Sequence, residues 1–299
     1  MIVITAPTGD IGGQVVERLL EIAPSEPLRV IVRDPARLAP AVRDRVDVVV
    51  GSHADRDVLD RALAGADAVF WLVPPDPRAP SLEVAFSGFT RAAAEAFAAH
   101  GVGHVVGVSA LGRGTPVEGS AGLVTASLAM DDLIAGSGVA YRALACASFM
   151  DNVLRGVAGI RDAGVFRDTM TADRRTPAVA TRDIAAVAAG LLADRSWSGV
   201  GSVPVQGPED VSPQEMAAVM SEVLGTSVRY ERQALDDHAA QLAGYGMGEA
   251  FVQGMVDMKR AKDEGGLDAG VPRTPDTANP TTFRRWCADV LKPAVEAAA

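Results

Sequence analysis

The residues that could do chemistry begin at Thr8. Thr8-Gly9-Asp10-Ile11-Gly12 follows a short apolar run, Ile2 to Ile4, and precedes Val15, Val16, Leu19 and Leu20 at helical spacing. A strand, a glycine turn and a helix in that order offer a ligand unpaired N–H groups and a positive dipole end. Such an arrangement suits a pyrophosphate. Gly9 leaves the backbone bare for close approach, and Gly12 lets the helix pack tightly on the strand. Ala6, followed by Pro7, stands where the dinucleotide pattern has glycine, and a methyl group there fits only if φ is not positive. A glycine turn without a ligand is the plainer alternative.

The second chemical signal is Arg33, directly after the apolar run Leu28 to Val32. An acidic residue there would hold the ribose 2′-hydroxyl of NAD. Arginine instead matches a 2′-phosphate through planar, charge-assisted hydrogen bonds, and Arg37 could add a second contact. This register favours NADP(H) over NAD(H); two solvated arginines, one paired to Asp34, is the competing reading. Ser52 follows the third strand, where an adenine edge would lie. Beside it Asp55 reads as a helix N-cap and His53 as a surface loop residue. Leu72-Val73-Pro74 ends the fourth strand and would wall the nicotinamide ribose. Ser109 ends the fifth, placing a hydroxyl near the nicotinamide or simply closing a strand.

On the acceptor side, Ser127 and Asp131 are four residues apart and share a helix face, which makes them the catalytic candidates. Phe149 and Met150 could line an apolar substrate slot with Asn152 beside them. Against this, Asp131 with Asp132 could be a solvated face, and Phe149-Met150 could be core. A Tyr-x-x-x-Lys dyad, in which lysine lowers the tyrosine pKa, is absent. The lysines are Lys259, Lys262 and Lys292, and the tyrosines Tyr141, Tyr230 and Tyr245. Simple ketone reduction is therefore disfavoured. Hydride delivery to a quinone or extended enone asks less, because the acceptor spreads the charge onto oxygens that water can protonate. No metal site is expected, since His53, His100, His104 and His238 lack ligand spacing.

The elements that must position these residues alternate along the chain. Apolar strands are expected at Leu28 to Val32, Val46 to Val50, Ala68 to Val73, His104 to Val108, Ala140 to Leu144 and Ser202 to Gln206. Amphipathic helices at 12–22, 55–64, 81–100, 121–136 and 181–194 lie between them. This pattern predicts an α/β fold: a Rossmann-type doubly wound parallel sheet. Beyond Gly207 the pattern changes. Ser212-Pro213 with Glu215 reads as a capped helix start running to Leu224, ending at Gly225. A short edge strand is expected at Val228 to Arg232 and a helix from Phe251 to Lys262. Glu264 to Pro280 should wrap the surface, and Thr281-Thr282 should open a last helix with Phe283 and Trp286 on one face.

With 299 residues the chain can bury a large core. A net charge of −10 disfavours direct nucleic-acid binding. The two cysteines lack disulfide or metal spacing, no apolar run reaches membrane-spanning length, and no leader-like segment opens the chain. A cytoplasmic protein acting on a small-molecule substrate is expected, with either a homodimer or a regulatory protein partner compatible.

The chain resembles the NmrA-like proteins of the atypical short-chain dehydrogenase/reductase group. The resemblance is carried by the loop Thr8 to Gly12, the Arg33-Asp-Pro turn, the run into Ser109, and Tyr141 leading to Ser148-Phe149-Met150-Asp151-Asn152. Thr181-Arg-Asp183, Gly207-Pro-Glu-Asp-Val-Ser and Pro280-Thr-Thr-Phe-Arg-Arg-Trp continue it. It implies NADP(H) binding and a smaller, mostly helical C-terminal domain covering the substrate. The expected division is 1–150 plus about 176–207 for the nucleotide domain, and 151–175 plus 208–299 for the other. Some members of the group reduce quinones or dyes. Others sense NADP(H) as regulators without catalysis, and a non-redox isomerase or dehydratase on the same scaffold is a third course. The chain departs from the group's pattern at Ala145-Cys146 and at Ser127, where His or Lys is common.

Overall fold

The computed structural model describes every residue except 269–270, 275–277 and 298–299. Its strands are Ile2–Ile4 (β1), Leu28–Val32 (β2), Asp47–Val50 (β3), Ala68–Trp71 (β4), His104–Ala110 (β5), Ala140–Cys146 (β6), Ser148–Phe149 (β7), Val165–Asp168 (β8), Thr176–Val179 (β9), Val200–Val205 (β10), Asp210–Val211 (β11) and Arg229–Arg232 (β12). Seven of them form one sheet in the order β10-β6-β5-β4-β1-β2-β3. β1 runs parallel to both β2 and β4, and the pairs β2–β3 and β4–β5 are parallel as well. Every residue of β1 and β4 is buried. Strands covered on both faces must be apolar throughout, which is why these read as unbroken apolar runs.

The chain steps outward from β1 to β2 and β3, then returns to lay β4 on the other side of β1. Sheets of this kind hold ligands at such a reversal, beyond the carboxyl ends of the strands. Thr5 ties the two ends together. Its N–H and its hydroxyl donate to the Phe70 carbonyl at 3.2 and 3.0 Å, and the Leu72 N–H donates to Thr5 Oγ at 2.9 Å.

Two compact units divide the chain. One comprises Met1–Ala110, Ala126–Ala145 and Ile184–Val203; the other comprises Leu111–Thr125, Cys146–Asp183 and Pro204–Ala299. The second unit thus takes in 111–125 and 176–183, and it is about as long as the first. The physical reason lies in β9, which pairs with β7 on one side and β11 on the other in a separate three-stranded sheet. β8 and β12 make a parallel pair in the same unit.

The core of the second unit gathers Met150, Phe166, Met220, Phe283, Trp286 and Leu291. Phe283 and Trp286 stack with centroids 5.6 Å apart, as their spacing on one helix face requires. Ser212 caps the helix Pro213–Leu224 in a reciprocal box with Glu215, and Gly225 ends it at φ 70°. The helix Leu235–Gly244 was not anticipated. Within the stretch 264–280, residues 269–270 and 275–277 lie outside the described residues. Leu267 is buried there, and Ala278 bridges to Gln206.

Candidate active site

After β1 the chain enters the turn that precedes the helix Asp10–Ile22. Ala6 takes φ 50°, the one non-glycine residue with positive φ among those described. A methyl side chain ordinarily disfavours this conformation, so the expectation of a non-positive φ at Ala6 does not hold. The conformation is adopted because Gly12 makes room: a Cβ on Gly12 would lie 2.2 Å from the Ala6 carbonyl oxygen. The Gly9 N–H donates to that same oxygen at 3.1 Å, which fixes the turn. Gly9 itself is exposed, and a Cβ there would meet nothing closer than 3.5 Å. No side chain caps the helix start. The first-turn N–H groups of Asp10, Ile11 and Gly12, beside Thr8, are therefore offered outward, as an anion requires.

Arg33 and Arg37 are exposed just beyond β2. Neither side chain makes a hydrogen bond or ion pair with a described residue. Asp34 is engaged elsewhere, accepting from the Ala36 N–H at 3.0 Å. Ser52 accepts from the Ala54 N–H at 3.2 Å. Asp55 precedes the helix Arg56–Leu63 but its side chain does not cap it. Leu72 and Val73 are half-buried and Pro74 exposed beyond β4. These residues fit a dinucleotide: bare amides stand at the β1 turn and an unpaired guanidinium one strand away.

His53 is not the surface residue its loop suggested. It is 8 % exposed and packs edge-on against Trp71 and Phe89, at 5.2 and 4.9 Å between centroids. Its Nε2 is 3.0 Å from the Leu72 carbonyl oxygen. Burial, with the Arg33 charge adding to it, pushes the imidazole pKa down to about 4 despite that hydrogen bond. A neutral ring must carry its proton on Nε2 to donate there. His53 thereby joins the loop after β3 to the end of β4.

Behind the switch point lies a buried polar cluster. Ser109 near the end of β5, Ser127 and Asp131 on the helix Leu123–Ala135, and Tyr141 on β6 are all under 9 % exposed. The Ser109 hydroxyl donates to Asp131 Oδ2, and the Tyr141 hydroxyl donates to Oδ1 at 2.6 Å. Ser109 Oγ and Ser127 Oγ are 3.4 Å apart. Asp131 is thus no solvated residue: two hydroxyls hold its carboxyl group inside the protein.

Tyr141 is the member of this cluster that sequence reasoning missed. Its signal was Gly107, a glycine inside β5 where a Cβ would sit 2.3 Å from the Tyr141 hydroxyl oxygen. A glycine in a strand interior marks a close approach.

The other expected substrate residues lie in the second unit. Met150 is 1 % exposed within that unit's core, so its side chain fills the interior and lines no open slot. Phe149 is half-buried on β7, and Asn152 is exposed. Asp151, between them, accepts from the N–H and hydroxyl of Thr181 at 3.1 and 3.0 Å.

A parallel sheet with a glycine turn at its switch point, an unpaired arginine after β2 and buried hydroxyls after β5 defines a Rossmann-type nucleotide-binding protein. The chain belongs to the NAD(P)H-binding family, whose model matches residues 7–195. It is 35 % identical over 293 residues to the (4-alkanoyl-5-oxo-2,5-dihydrofuran-3-yl)methyl phosphate reductase of Streptomyces griseus, covering 97 % of each chain. Its fold resembles that of the NADPH-dependent quinone oxidoreductase of Escherichia coli solved with NADPH, with a TM-score of 0.78 at 23 % identity, covering 100 % and 99 % of the two chains. The triphenylmethane reductase of Citrobacter sp., solved with NADP(H), superposes with a TM-score of 0.79 at 20 % identity and full coverage of both chains. Among the described residues no helix is long and apolar enough to cross a membrane.

Proposed function

We propose that this protein is an NADPH-dependent reductase of a small conjugated carbonyl compound, such as an unsaturated lactone or a quinone. The observation that carries the reading is the coexistence, in one unit, of the uncapped glycine turn, the unpaired Arg33 and the buried Ser109–Asp131–Tyr141 array. The relatives' activities support it. When bound, the nicotinamide supplies a hydride, and water supplies the balancing proton.

The chain's own residues do the rest. The N–H groups of Asp10, Ile11 and Gly12 bind the pyrophosphate, with Thr8 beside them. Arg33, aided by Arg37, selects the 2′-phosphate, while Ser52, Leu72, Val73 and Pro74 confine the nucleotide. Ser127 offers its hydroxyl to the oxygen of the acceptor, exchanging its contact with Ser109 for it, while Asp131 holds the Ser109 and Tyr141 hydroxyls through its buried carboxyl group. Because Ser127 and Asp131 stand four residues apart on one helix, the pair provides hydrogen bonds without a lysine to depress a tyrosine pKa. Acceptors that stabilise their own charge are the ones such a site can reduce.

Stopped-flow mixing with NADPH and a panel of quinones and unsaturated lactones tests this. Loss of the cofactor's near-ultraviolet absorbance with at least one acceptor is the expected outcome. Tight NADPH binding with every acceptor left intact would favour the sensing alternative, which the lack of a Tyr-x-x-x-Lys dyad also suits.

A further inference from the structure

In the second unit, the helix Glu249–Asp263 carries Lys259 and Lys262. Lys259 Nζ is 3.0 Å from both carboxylate oxygens of Asp168, at the end of β8. Arg232 pairs with Asp263 at 2.7 Å, and Arg174 stands 3.7 Å from Asp268. Lys262 differs from these three. Its Nζ donates to Ser148 Oγ at 2.5 Å, and no carboxylate of a described residue is within ion-pair distance.

Four cations therefore face three carboxylates, in a chain whose net charge is −10. An ammonium has three donors, and among the described residues only the Ser148 hydroxyl accepts from it. Burial and the Lys259 charge bring the Lys262 pKa down to about 8, against the opposing pull of Asp168 and Asp268. It remains mostly protonated at neutral pH. Arg174, joined to the cluster through Asp268, has a buried Nε with no hydrogen-bond partner, a second donor left waiting.

We propose that Lys262 and Ser148 form an anion site in the second unit, which takes the phosphate monoester of the substrate. Calling that monoester part of the substrate rests on the reductase reading above; the site itself does not. A phosphate dianion supplies the missing charge and oxygens that accept from several directions at once. The relative from Streptomyces griseus is a reductase of a (dihydrofuranyl)methyl phosphate.

Calorimetric titration of the NADP⁺-saturated protein with phenyl phosphate tests the site. Binding should weaken about tenfold or more in Lys262→Gln, and survive within a few-fold in Lys262→Arg. Phenyl phosphate should raise the melting temperature of the parent protein but not that of Lys262→Gln. NADPH affinity should be equal in all three, which also verifies folding; if Lys262→Gln fails to fold, Ser148→Ala replaces it, with a smaller but measurable loss. No binding at millimolar phenyl phosphate overturns the proposal, as does binding that disappears in Arg33→Ala and persists in Lys262→Gln. Turnover of a panel of quinones together with phosphorylated unsaturated lactones separates the two readings. Phosphate binding without any turnover would sink the reductase and keep the site; turnover without phosphate binding would do the reverse.

Discussion

The Tyr141 hydroxyl lies 2.6 Å from Asp131 Oδ1, inside the sheet and beside the one strand glycine that leaves it room. The other oxygen of the same carboxyl group accepts from Ser109. Tyr141→Phe removes one donor and leaves a buried oxygen without its partner. The expected cost is about 1–3 kcal/mol, read from urea denaturation. Turnover should fall while NADPH affinity stays within about twofold, because Tyr141 acts through Asp131. Equal stability of mutant and parent would show that the Asp131 oxygen finds another donor.

Arg33 makes no competing ion pair with a described residue, which leaves its guanidinium free for a phosphate. Arg33→Ala should weaken NADPH binding about 10- to 100-fold, the worth of a charge-assisted pair. NADH binding should change little. Arg37→Ala should show the same selectivity on a smaller scale. Calorimetry with both nucleotides gives the answer, and an equal loss for NADH and NADPH would remove Arg33 from the 2′-phosphate.

His53 provides a pH signature of its own. The unfolded chain binds a proton at this ring near pH 6.5, whereas the folded chain binds it only near pH 4. Between those values the unfolded state holds more protons, so folding stability contributed here rises with pH and is lost as pH falls through the window. The difference in unfolding free energy between the parent and His53→Phe should change with pH from about 6.5 down to 4, with a slope approaching ~1.4 kcal/mol per pH unit. A pH-independent difference would mean that the ring charges without penalty.

The Ala6–Gly12 contact gives opposite effects at its two ends. Gly12→Ala would push a methyl group into the Ala6 carbonyl, 2.2 Å away, and must displace the helix start. A loss of about 1–3 kcal/mol, as for overpacking, and weakened nucleotide binding are expected. Ala6→Gly relieves the positive φ and should stabilise the fold by about 0.5–1 kcal/mol. Thermal melts of both variants check the pair together.

The strands β1 to β6 and the helices between them were legible as alternating apolar runs, since a strand covered on both faces can hold little else. The Ser212 cap, the Gly225 stop and the Phe283–Trp286 face were equally plain, being local chemistry within one turn or two. The second unit's small sheets were not. β7 and β11 span two residues each, too short to show a period, and only their pairing with β9 makes them strands.

The amino-acid sequence alone determined the glycine turn, the arginine after β2 and the lack of a tyrosine–lysine dyad, because each is a matter of residue type at a fixed offset along the chain. Tertiary structure decided which polar groups are held in the interior. Ser109, Asp131 and Tyr141 come from a strand, a helix and a neighbouring strand. His53 and Leu72, like Lys262 and Ser148, are far apart in the sequence. No spacing rule connects such residues; they meet because strand order in the sheet and the packing of each unit bring distant segments together, and burial then fixes their hydrogen bonds and charge.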